Sequence, residues 1–203
     1  MKSVLLCVAV SGSMGCATSA TGPGRLNPDL IGVATSAEGV RKIELHSDQS
    51  GGLWKMSVYH QDANRVPEPV RKLAESLFPG SKPVSFETEH YADAGLVYEV
   101  EVESQDGRHC EVSATSDAKL RYTECRLAKE GLPVAVAKKL ETVLPGATIE
   151  ELEVLKGPSI GGGEEYRAEL KLGAVEHYLR LSPGGELVHH GILIPAKIEV
   201  PHL

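Results

Sequence analysis

The strongest constraint on this chain is that it repeats itself. Pro67 is matched by Pro133, and Pro79-Gly80 by Pro145-Gly146, each 66 positions further on. Tyr98 is matched by Tyr166 at a spacing of 68, and Leu120 by Leu187 at 67. Matches that keep their order at nearly constant spacing mark two copies of one supersecondary unit.

Each copy opens on a helical pattern. Val66, Val70, Leu73, Ala74, Leu77 and Phe78 fall on one helical face, and so do Leu132, Val136, Leu140, Val143 and Leu144. Pro67 and Pro133 suit the first turn, where an amide donor would have no partner anyway. Pro-Gly then stops each helix, since proline cannot continue it and glycine accepts positive φ.

A period of two follows. Tyr98, Val100 and Val102 alternate with Glu99, Glu101 and Glu103; Tyr166, Ala168, Leu170 and Leu172 alternate with Arg167, Glu169 and Lys171. Such strands are half buried, and the Glu99, Glu101, Glu103 row is expected to be a solvated outer face. Asp106-Gly107 and Pro183-Gly184-Gly185 mark turns. Ahead of the first copy, Ile43 and Leu45 face Trp54, Met56 and Val58 across a glycine-containing turn, which reads as a further hairpin. The expected fold class is α+β: two tandem helix-plus-antiparallel-sheet units with the helices packed on one face of the sheet. The hairpin takes residues 39–65, unit one 66–131 and unit two 132–203.

Cys110 and Cys125 lie on two strands flanking the turn at residues 116–119. If that turn holds four residues, the two cysteines oppose each other, with Cβ atoms close to the reach of a disulfide. A metal pair or free buried thiols are the alternatives, though a metal would want further ligands at fixed spacing and only His109 is adjacent. The second copy has Tyr178 where the first has Cys110, so a bond here staples one copy only.

The N-terminus reads as a targeting segment. Lys2 supplies the positive charge, residues 4–10 are apolar, and the stretch is too short to span a bilayer. Gly15-Cys16-Ala17 resembles a bacterial lipoprotein signal, in which cleavage precedes a cysteine that then carries lipid, here Cys16. Ordinary secretory cleavage near Ala17 or Ala20 is the alternative. Residues 1–16 are the signal; residues 17–38, rich in Thr, Ser, Gly and Pro, are a tether. The expected location is periplasmic or outer-membrane, held by the lipid anchor, with a secreted soluble form as the alternative; an oxidising compartment favours the disulfide.

The motifs from Val66-Pro67 through Phe78-Pro79-Gly80, Tyr98 to Val102, Asp106-Gly107 and Leu120, repeated from Leu132-Pro133 through Pro145-Gly146 and Tyr166, resemble the PepSY and PepSY-like family of exported bacterial proteins. The resemblance implies a helix lying on an antiparallel sheet. Tandem copies look like the fold of a beta-lactamase inhibitory protein, whose free sheet face grips a partner, and family members are proposed to bind or inhibit envelope peptidases. The family brings no catalytic residues and no cofactor, and the residues that would touch a partner do not map onto this chain.

Other candidate sites read plainly. His189 and His190 are strand neighbours and point to opposite faces. His177, on the preceding strand, could pair with one of them; His177 and His189 are weak metal candidates, since catalytic zinc usually takes three protein ligands. Residues 161–163 are all glycine but lack the Lys-Ser/Thr of a phosphate loop. No serine or cysteine sits in a recognisable nucleophile motif. With 41% hydrophobic residues and only 4% aromatic, 203 residues can build an aliphatic core. A net charge of −7 disfavours nucleic acid and anionic lipid surfaces as partners. The expectation is a non-enzymatic binding module of the cell envelope whose partner is an envelope protein such as a peptidase. An envelope ligand or metal sensor, or a structural lipoprotein, is the alternative.

Overall fold

The computed structural model describes residues 39–161 and 163–195. The signal segment, the tether and Cys16 lie outside the described residues, as do residues 196–203.

Among the described residues, ten strands and two short α-helices follow one another: β1 Val40–Ser47, β2 Leu53–His60, α1 Glu68–Leu77, β3 Lys82–Tyr91, β4 Gly95–Glu103, β5 His109–Ala114, β6 Leu120–Arg126, α2 Val134–Val143, β7 Thr148–Lys156, β8 Glu164–Leu172, β9 Val175–Leu181 and β10 Leu187–Leu193. All ten strands form one antiparallel sheet, and their order in the sheet is their order in the sequence.

This overturns the expected two helix-plus-antiparallel-sheet units. The edge of the first copy does not end a sheet, because Thr123 to Arg126 of β6 pair with Lys156 to Glu153 of β7. The leading hairpin is joined in the same way, by β2 pairing with β3 from Lys55↔Tyr91 to His60↔Phe86. The physical reason is edge satisfaction: an isolated unit would leave a row of amides and carbonyls unpaired at each side. Internal repetition reveals the unit but not that neighbouring units share their edges. The helices, ten residues each, are minor pieces laid on a sheet that dominates the fold.

The helices begin one residue after Pro67 and Pro133, which are their N-caps. Val70 and Ala74 of α1 are buried against Phe86, Val100, Val102, Val112 and Ala114. Val136 and Leu140 of α2 are buried against Leu152, Ala168, Leu170, Leu179 and Leu181. Leu77, placed by periodicity on the buried face, is instead exposed at the end of α1. Cys110 and Cys125 are register partners on β5 and β6 and are joined by a disulfide that lines the first of these cores. A third, smaller cluster of Met56 and Val58 lies under β1 and β2.

The middle strands therefore send most of their apolar residues to the helix side and their glutamates to the other. The sheet curls around that polar side. Tyr59 of β2 and Glu44 of β1 line the same cavity as Arg167 of β8, Glu176 of β9 and Leu193 of β10.

Candidate binding face

The polar side is not the solvated surface expected from the sequence. Glu99 is 4% exposed, Glu89 fully buried, and Glu87, Glu124, Glu153 and Glu165 are buried as well. Of the row Glu99, Glu101, Glu103, only Glu103 is exposed, and Glu101 is half buried and bonded to His109 Nδ1 at 2.9 Å. Curvature is the cause: side chains that diverge on a flat sheet converge on the inside of a curled one.

Burying carboxylates costs free energy unless they are paired or protonated, and both remedies are present. Arg167 is the main hub. Its Nη1 donates to Glu124 Oε1 at 3.0 Å and its Nη2 to Glu169 Oε1 at 2.7 Å, while its Nε lies 3.1 Å from Glu153 Oε2. The guanidinium also stacks 4.9 Å from the Tyr178 ring centroid. Arg180 Nε donates to Glu165 Oε2 at 2.8 Å. Lys55 pairs with Glu89, and Tyr122 donates its hydroxyl to Glu99 at 2.6 Å. Burial opposes the charge on Lys55, but the Glu89 carboxylate outweighs it and holds the lysine pKa well above its usual range.

Several of these carboxylates are also pushed toward the protonated form. Burial, reinforced by the neighbouring Glu89 and Glu87, pushes Glu99 well above the carboxylate range. Burial and Glu89 raise Glu87 to about 7. Burial and Glu124 raise Glu153 to about 10 and also lift Glu111 far above its ordinary value.

Among the described residues, Glu87, Glu89 and Glu99 form the one group of three whose ligand atoms all lie within 4.8 Å of one another, so they are the residues that could hold a hard cation. Glu89 Oε2 is buried without a hydrogen-bond partner. The ammonium of Lys55 already supplies the positive charge at this trio.

Beside it, a cavity of about 340 Å³ opens on the polar face. Seven glutamates line it, Glu44, Glu101, Glu111, Glu151, Glu153, Glu169 and Glu176, against three fixed cations, Lys42, Arg126 and Arg167.

The histidines separate. His177 Nδ1 lies 3.1 Å from His190 Nε2 on the helix side of β9 and β10. His189 points to the polar side and meets the Tyr178 ring at 5.6 Å. The structure thus does not bring His177 and His189 together; an irregularity in register between Leu187 and His189 sets the pairing. Gly161 and Gly163 lie between β7 and β8, and Gly162 lies outside the described residues.

Glu87, Glu89, Glu111, Glu124, Glu153, Arg167 and Tyr122 escaped the sequence reading. Their signal was the choice of polar partner at period two: glutamate on strand after strand, with Tyr59, Tyr91, Tyr122 and Tyr178 in the same rows. Tyrosine is an unusual choice for a purely solvated face, because its ring wants burial while its hydroxyl wants a partner.

Comparison with protein-family models finds no match, and comparison with curated proteins finds none either. Solved structures do match. A DUF2874 family protein from Bacteroides uniformis superposes with a TM-score of 0.51 at 13% identity, covering 63% of this chain and 89% of that one. A protein from Bacteroides eggerthii, proposed to be periplasmic, gives 0.50 at 13% identity over 63% and 88%. A BLIP-like protein from Bacteroides fragilis gives 0.49 at 20% identity over 68% and 94%. At such identities the first two likenesses establish a shared fold; the resemblance to PepSY-like proteins stays with the sequence motifs that carry it.

Proposed function

We propose that this chain is an exported, non-enzymatic binding module whose curled polar face docks on a protein of the cell envelope. The observation that carries the reading is that face itself. The helices cover the opposite side of the sheet, while the polar side gathers ordered charges from β1 through β9 around an accessible cavity. Preorganised charge of this kind suits recognition: it fixes orientation and selects the partner by complementarity. The signal segment, the disulfide and a fold shared with a protein proposed to be periplasmic support export. Lipidation at Cys16 would hold the module at a membrane, and a peptidase sterically blocked by it is the partner class that the PepSY-like resemblance favours.

The test is site-specific photo-crosslinking in intact cells. A crosslinking residue at Glu176, exposed beside the cavity, should capture one recurring envelope protein, whereas the same residue at Glu75 on exposed α1 should not. Capture from Glu75 alone, or from neither position, overturns the reading. Assay of the captured protein with and without the module then decides between inhibition and simple tethering.

A further inference from the structure

We propose that His177 and His190 hold a late transition-metal ion, copper(II), nickel(II) or zinc(II), between their facing imidazole nitrogens on the helix side of β9 and β10. The site lies on the opposite side of the sheet from the proposed docking face, so it neither needs that reading nor falls with it.

Two paired strands set the geometry. His177 follows the period of the buried Leu179 and Leu181 on β9, and its register partner on β10 is Ile192. His190 is the register partner of Leu179, so the two imidazoles sit diagonally across one face of the hairpin. Nδ1 of His177 and Nε2 of His190 lie 3.1 Å apart, with ring centroids separated by 5.3 Å and ring planes inclined at 43°. Two imidazole nitrogens bound to one ion at about 2.0–2.1 Å stand roughly 2.8–3.4 Å from each other, the lower end for square-planar and the upper for tetrahedral coordination. The observed separation falls inside that interval, so neither strand has to move. The contact shares one proton, since one ring must donate and the other accept. A divalent ion takes the place of that proton, which the donating ring then carries on its other nitrogen.

The neighbours set the class of ion. Leu170 flanks His177 from β8, Ile192 flanks it from β10, and Leu179 flanks His190. All three are apolar, so no carboxylate at these positions competes for the rings or invites a hard cation. Imidazole nitrogen suits copper, nickel and zinc, whereas calcium and magnesium want oxygen. Among the described residues, no third histidine, cysteine or carboxylate offers a ligand atom within 4.8 Å of both nitrogens. Two protein ligands leave the other coordination positions to water or an incoming donor. His189 supplies an internal contrast: adjacent in sequence, it faces the polar side against Tyr178.

Isothermal titration of the untagged full chain with copper(II), nickel(II), zinc(II) and calcium is the test. One site should fill, most tightly with copper, as nitrogen ligands order these ions, and calcium should not compete for it. His177→Gln and His190→Gln should each weaken copper binding tenfold or more, and the double variant should lose no more than either alone, as a chelating pair requires. His189→Gln should leave the affinity unchanged. The metal-free thermal transition of each variant should stay in place, since His190 is exposed and His177 half buried. Electron paramagnetic resonance of the bound copper should show two imidazole nitrogens. No binding of any of the three transition-metal ions at millimolar concentration, affinity unchanged in His177→Gln or in His190→Gln, or loss of the site in His109→Gln on the polar face overturns the proposal.

Discussion

Arg167 donates to Glu124 at 3.0 Å, joining a strand of the second repeat to the last strand of the first on the buried polar side of the sheet. The same guanidinium reaches Glu153 and Glu169, so one side chain neutralises carboxylates from three strands. Removing it leaves Glu124 buried without its cation. Arg167→Met should destabilise the protein by about 3–5 kcal/mol in urea unfolding. Adding Glu124→Gln and Glu153→Gln should recover part of that loss. A single variant within 1 kcal/mol of the parent would mean that the hub contributes little.

Stability should fall as pH rises above the ordinary carboxylate range. Glu87, held at about 7, and Glu153, held at about 10, bind protons in the folded state that the unfolded chain has released. A carboxylate with a raised native pKa therefore stabilises the fold least at high pH, and the loss begins near 4.5 and continues through 7 and beyond. The melting temperature should drop by several degrees between pH 5 and pH 8. Glu99→Gln should flatten the profile, since burial also holds Glu99 in its protonated form. A melting temperature that rises over this interval would contradict the protonated carboxylates.

The matched turns of the two repeats differ in an instructive way. Ala118 has φ of 61° in the β5–β6 turn, where an alanine is strained, and Gly185 holds the aligned position with φ of 80°. Ala118→Gly should be neutral to stabilising by up to about 1 kcal/mol, the relief of strain being partly offset by unfolded-state entropy. Gly185→Ala should be clearly destabilising, because its Cβ would fall 2.6 Å from the carbonyl oxygen of Ala135 in α2. Thermal melts of the pair test this; equal effects of the same sign would refute it.

Leu140 probes whether the sheet unfolds as one body. It is buried between α2 and the strands of the second repeat, and Leu140→Ala should cost about 2–5 kcal/mol. Because β6 and β7 pair directly, the variant should still lose tertiary signal and sheet signal in a single coincident transition. Two separated transitions would show that the repeats unfold independently.

The disulfide should be a stabiliser. Cys110 and Cys125 are 15 residues apart, and closing a loop of that size is worth about 3 kcal/mol in the chain-entropy account. Cys110→Ser with Cys125→Ser should lower the melting temperature by roughly 6–12 °C, given about 2–4 °C per kcal/mol for a chain of this size. Addition of reductant to the parent should approach the same value.

What the sequence disclosed was local. Val70 and Val136 could be placed on buried helix faces because a period near 3.6 is a property of neighbouring residues. Cys110 could be set opposite Cys125 because a short turn fixes register across one hairpin. Glu99 could be assigned to the polar side by alternation, but not to the interior, since alternation states which face a residue takes and not how the sheet bends. Arg167 could not be linked to Glu124, because the pairing of β6 with β7 is made across the α2 segment that separates them. Which of His189 and His190 meets His177 could not be read from alternation, because an irregularity beside Leu187 sets it as His190.

The unbroken sequential order of the strands also bears on how the chain reaches this state. Sheets that must join distant segments fold slowly, because loop closure is costly before any contact forms. Here each strand needs only an edge laid down just before it, and the longest detours are the two short helical excursions between β2 and β3 and between β6 and β7. A chain emerging N-terminus first, from a ribosome or from a translocation pore, can zip together strand by strand and never waits for a partner that has yet to arrive.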